Sequence, residues 1–100
     1  MDTCYSLYLR GPWDEMASVK EEIKKLGTGQ AALVTGSYAC MDEWGWEPDL
    51  KKIALAHPDV LICLSGIQPF MENPWEARFK GNDYEYCKFD LTFKNPKLSI

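Results

Sequence analysis

The sequence has one histidine, four cysteines that never stand as a Cys-x-x-Cys pair, and no long apolar run. Each shortage removes a class of function. Without paired Cys or His spacing, a structural zinc site has no ligand set, and no metal or other cofactor is expected. A membrane-spanning helix needs roughly 18 apolar residues in succession, and no stretch approaches that. Glycines do not form a phosphate loop either. Gly27-Thr28-Gly29 follows a helical stretch instead of leading into one, the wrong polarity for cradling an anion. Basic residues are outnumbered, 11 against 15 acidic, for a net charge of −4. That balance argues against nucleic-acid binding, which needs a basic surface to displace counterions. The start, Met1-Asp2-Thr3-Cys4, lacks the basic and apolar regions of a signal peptide. The default expectation is a cytoplasmic chain with free thiols at Cys4, Cys40, Cys63 and Cys87. The even count keeps a secreted, disulfide-bonded alternative open.

What is present fits one folded unit. One hundred residues make a single domain spanning residues 1–100, with enough apolar content (46%) for one core. Aromatics reach 13%, with four tryptophans, which either fill that core or supply a binding face.

Periodicity orders the elements. Tyr5, Leu7 and Leu9 alternate with Ser6, Tyr8 and Arg10, a strand that Gly11-Pro12 stops. Met16, Val19, Ile23 and Leu26 fall at helical spacing, which predicts a helix over 14–26. Residues 31–41 are apolar and β-prone, and read as one bulged strand or two short ones. Residues 42–47 read as a loop, and residues 48–56 as a second helix with Pro48 in its first turn. Five apolar residues, Val60 to Leu64, predict a central strand. Residues 67–73 form a loop, 75–80 a strand, and Gly81-Asn82-Asp83 a turn. Residues 84–93 are expected to be the longest strand. Cys87, Phe89, Leu91 and Phe93 would face one way, and Tyr84, Tyr86, Lys88, Asp90 and Thr92 the other. Residues 94–100 read as a tail or edge segment. This order predicts an α+β fold: a ferredoxin-like split β-α-β sheet with two helices on one face and a C-terminal β-hairpin.

The second half of the chain also carries a family pattern. Trp46-Glu47-Pro48 is followed by Leu50, Ile53 and Ala54, then by His57-Pro58-Asp59-Val60, a hydrophobic strand, and the turn Gly81-Asn82. This resembles the YubB-type ferredoxin-like proteins of phages and plasmids, over roughly residues 38–93. His57 stands where that family has an aromatic residue. The resemblance implies a ferredoxin-like fold and a mobile-element origin. It implies no activity and carries over no catalytic residue.

Three groups of residues are candidates for function. His57 is a candidate general base, although a cation at a helix end suits the helix dipole without any chemistry. Asp42, Glu43, Glu47 and Asp49 cluster at the start of the second helix, where carboxylates also serve as caps. Trp44, Trp46, Trp75 and Phe70, with Met71, lie in or beside loops, where interface cores draw their residues. Asp42, Glu43, Trp44, Trp46, Glu47, Phe70 and Trp75 are therefore the expected partner-binding set. The expected function is a small non-enzymatic protein-binding module of phage or mobile-element origin. It would dock on a host protein, in the sharpest version to inhibit a host defence nuclease as an anti-CRISPR protein does. One alternative is a small enzyme using His57 with the nearby carboxylates. Another is a weak single-stranded nucleic-acid binder that stacks bases on Tyr84 and Tyr86. A homodimer through a sheet edge is compatible with each.

Overall fold

The alternation at the start of the chain produces β1 (Thr3–Arg10), and Gly11 and Pro12 turn it into α1 (Trp13–Lys24). Pro12, just before the helix, fixes its entry angle. Asp14 and Glu15 occupy the first turn and Lys24 the last, as the helix dipole favours. Val19 and Ile23, four apart, are the positions that α1 buries completely. The computed structural model describes residues 2–68, 74–88 and 91–100.

The stretch expected to be extended, 31–41, is mostly helical. It forms α2 (Thr28–Gly36) followed by the short strand β2 (Tyr38–Met41). Gln30, Ala31, Ala32 and Leu33 are good helix formers, and Leu33 is fully buried. The Thr35 hydroxyl donates to the Ala31 carbonyl at 2.9 Å, a bond only a helix offers it. Ser37, in the left-handed conformation with φ 63°, ends the helix and releases the chain into β2.

The second half follows its periodicity closely. α3 (Trp46–Ala56) buries Leu50, Ile53 and Ala54. β3 (Leu61–Ile67), β4 (Trp75–Lys80) and β5 (Asp83–Lys88) complete the sheet, and Pro96–Leu98 forms a 3₁₀ turn. β4 and β5 are joined through Gly81, at φ 58°, and Asn82. Glycine first in a two-residue loop suits the twist of a hairpin. β5 is shorter than expected, since Leu91, Thr92 and Phe93 lie outside it. Phe89 and Asp90 lie outside the described residues.

The sheet has five strands in the order β2-β1-β3-β4-β5, with every neighbouring pair antiparallel. β3 is the central strand, as its apolar run predicts. α1 and α2 together join the antiparallel neighbours β1 and β2. α3 joins β2 to β3, which run parallel with β1 between them. Register aligns Leu7 with Leu64 and Ala77, and Leu9 with Ile62 and Phe79. These side chains meet Val19, Ile23, Leu33, Leu50 and Ile53 in one core. Three helices therefore cover this face, where two were expected.

Part of the opposite face is covered by the end of the chain, which is not a free tail. Leu98 is fully buried against Leu61 and Cys63. Arg78 organises the contact. Its Nη1 donates to the Leu98 carbonyl at 3.0 Å, and its guanidinium lies 3.9 Å from the centre of the Phe93 ring. The Glu85 carboxylate accepts from the backbone amides of Lys94 and Asn95.

The expectation of free thiols is corrected at Cys4 and Cys40, which form a disulfide. They are register partners on β1 and β2, with Cα atoms 3.9 Å apart, the closer type of antiparallel pair. Cys63 remains a buried thiol, its pKa pushed up to about 12 by loss of solvent. The Cys87 thiol donates to the Thr92 carbonyl at 2.8 Å.

Candidate functional site

The residues around 42–47 turn the chain from β2 into α3, and they do so around two indoles with different fates. Trp44 is buried, at 9% exposure, and its Nε1 donates to Asp49 Oδ2 at 2.9 Å. Asp49 thus spends its carboxylate on positioning Trp44 at the head of α3. Trp46 begins the helix, and its amide donates to the Trp44 carbonyl at 2.9 Å. Its indole lies along Trp75 from β4, with centroids 4.8 Å apart and planes 16° from parallel.

Gly66 makes that arrangement fit. It sits on β3 between Tyr5 on β1 and Trp75 on β4. With no side chain there, Trp75 lies flat across the strand. A Cβ on Gly66 would stand 2.2–2.7 Å from the indole. Tyr5 meets the edges of Trp44 at 5.5 Å and Trp75 at 6.0 Å, and Tyr86 from β5 stacks at 6.0 Å from Trp46. One continuous aromatic floor results, running across the end of the sheet.

A cleft of about 840 Å³ opens above this floor. Trp44, Trp46, Trp75, Tyr5 and Tyr86 line it. Asp42 and Glu43 stand at one side, Lys88 at the other, and Thr3 and Gln68 between. The Asp42 carboxyl hydrogen-bonds and crowds that of Asp2, which raises the Asp2 pKa. Burial pushes the Tyr5 and Tyr86 hydroxyls up.

Of the expected binding set, Asp42, Glu43, Trp44, Trp46 and Trp75 share this cleft. Glu47 does not line it. Its carboxylate is held by Lys51 at 3.0 Å and by the Tyr84 hydroxyl at 3.1 Å, and the Lys51 bond lowers its pKa. Phe70 and Met71 lie outside the described residues. Tyr5, Tyr86, Gln68, Thr3 and Lys88 were missed as cleft residues. The signal that finds Tyr5 and Tyr86 is strand register: both face the same side as Trp75.

Tyr84 and Tyr86 were expected on an open platform. They face the helices instead. Tyr84 stacks on Phe79 at 4.9 Å and carries Lys51 over its ring at 4.5 Å. Burial is the main cause of its raised pKa.

His57 is far along the chain from its partners. Its Nδ1 lies 2.7 Å from Glu15 Oε2, and its Nε2 contacts Glu22 Oε2. Both glutamates belong to α1, so the carboxylates at 42–49 are not its hydrogen-bond partners. The side chain is 16% exposed. The Glu15 bond is the largest cause of a raised His57 pKa, and the Glu22 contact adds to it against the cost of burial. His57 clamps the end of α3 to α1. Among the described residues, no group of three or more His, Cys, Asp and Glu side chains is placed to hold a metal ion. No described helix is long and apolar enough to cross a membrane. Comparison with family models, curated proteins and solved structures finds no match for this chain.

Proposed function

We propose that the chain is a non-enzymatic protein-binding module whose docking site is the aromatic cleft at the head of α3. The observation that carries this reading is the cleft itself. Trp46, Trp75 and Tyr86 form a stacked floor beside the charged side chains of Asp42, Glu43 and Lys88. Tryptophan and tyrosine give a partner large contact area at small entropic cost and dominate interface energetics. The resemblance to YubB-type proteins makes a mobile element the source, and a host defence protein the partner in the sharpest form of the proposal. The ferredoxin-like description belongs with this reading. Its support is the β2–α3–β3 crossover around β1.

An enzyme built on His57 has less in its favour. Both ring nitrogens are already occupied by glutamates, and His57 does not line the aromatic cleft.

The test is affinity capture from a host lysate with the full chain as bait, beside Tyr86→Ala and Glu43→Lys. A partner held by the wild type and lost from both variants is the expected outcome. A partner that both variants retain in full would place docking elsewhere. Light scattering of the same samples separates a second copy of this chain from a foreign partner.

A further inference from the structure

Asp42 and Glu43 follow β2 at one edge of the sheet, and Lys88 ends β5 at the other. Thr3 on β1, Gln68 just after β3 and Trp75 on β4 line the cleft between them. The cleft thus crosses the ends of the whole sheet. Four strand spacings of about 4.8 Å make it about 19 Å long, the length of about six extended residues. Its charge is polar along that length, with carboxylates at one end and an ammonium at the other. Among the described residues, the ion pairs within 4.0 Å involve other side chains, and none engages Asp42, Glu43 or Lys88. Like charges crowded at Asp2 and Asp42 favour a cation placed beside them.

We infer that the cleft takes an extended segment of a partner protein that places a basic side chain at Asp42 and Glu43 and a carboxylate at Lys88. This inference rests on the docking reading above and adds the chemistry of the docked segment. The aromatic floor supplies contact area, and the two charged ends fix position and orientation. Opposite charges at the ends also reject segments of a single sign, because one end would then meet its own charge.

The experiment is selection from a random octapeptide display library on the full chain. It is run in parallel on Asp42→Lys/Glu43→Lys and on Lys88→Glu, all exposed positions. The wild type is expected to enrich peptides with Arg or Lys about five residues from Asp or Glu, with apolar residues between. Each variant is expected to bind those peptides about three- to tenfold more weakly and to change the sign selected at its own end. Raised salt is expected to weaken wild-type binding. Peptides that depend on Trp46 or Tyr86 but show no charge pattern would overturn this inference and leave the docking reading standing. Enrichment of no peptide that Trp46→Ala or Tyr86→Ala weakens, with both variants folded by circular dichroism, would overturn both.

Discussion

Trp75 lies flat across Gly66, its register partner on the central strand, with no room between the indole and the strand for a methyl group. Gly66→Ala should expel the ring, break its stacking on Trp46 and cost about 1–3 kcal/mol. Thermal unfolding and near-ultraviolet circular dichroism read this directly. An unchanged melting temperature with an unchanged aromatic spectrum would refute the packing.

The His57 clamp makes stability depend on pH. Its pKa is raised above the ordinary 6.5, so the folded chain holds the proton more tightly than the unfolded chain does. The stabilisation is complete below the unfolded value and is lost as pH rises through the elevated folded value. Urea midpoints should therefore fall as pH rises above about 6.5 in the wild type. His57→Gln should flatten that slope. An equal slope in both proteins would assign it to other groups.

The disulfide ties β2 to β1 across a sequence separation of 36 residues. Chain-entropy reasoning gives a loss of about 3–4 kcal/mol on reduction, an upper figure when the reduced chain retains structure. Denaturant titration with and without reductant measures it, with Cys4→Ser/Cys40→Ser as the control. The strand also delivers Asp42 and Glu43, so reduction should weaken any ligand of the cleft. A reduced chain of unchanged stability would contradict the pairing.

Arg78 holds the chain's end over Cys63. Arg78→Ala removes the bond to the Leu98 carbonyl and the contact with Phe93. Cys63 should then react with a thiol reagent at least about tenfold faster, a change expected when local opening becomes easier by about 1.4 kcal/mol. Modification at Cys63 is followed by mass spectrometry of tryptic peptides. An unchanged rate would mean that other contacts hold the segment.

Iodide quenching should be dominated by a tryptophan outside the cleft. Trp13 is 82% exposed at the head of α1, whereas Trp44 is buried. Trp13→Phe should remove the most accessible component of the fluorescence. Quenching that survives this change at full strength would place an exposed indole elsewhere.

The elements that the sequence announces are those whose pattern is local. β1 and α1 show clear periods, β3 a continuous apolar run, and the β4–β5 turn its glycine. α2 is obscured because Val34, Thr35 and Gly36 suggest extended chain. The decisive fact, burial of Leu33 against α1 and the sheet, is tertiary. The closing segment is obscured for the same reason, since Arg78 meets Leu98 across 20 residues. At the candidate site, composition draws attention to Trp44, Trp46 and Trp75. It does not reveal that Asp49 consumes the Trp44 indole N–H, or that Tyr5 and Tyr86 reach the same floor. Those facts depend on register.

The pairing of β1 with β3 also governs how the chain must acquire its shape. Tyr5 meets Gly66 and Arg10 meets Leu61, so the sheet's central ladder joins segments more than 50 residues apart. Loop-closure entropy is spent before those contacts give anything back. Folding should be slow for the size, in the millisecond-to-second range typical of non-local sheets, with a nucleus that needs both strands at once. Any fragment ending before Leu61 leaves Leu7 and Leu9 beside an unfilled strand position, a template for mispairing with another chain.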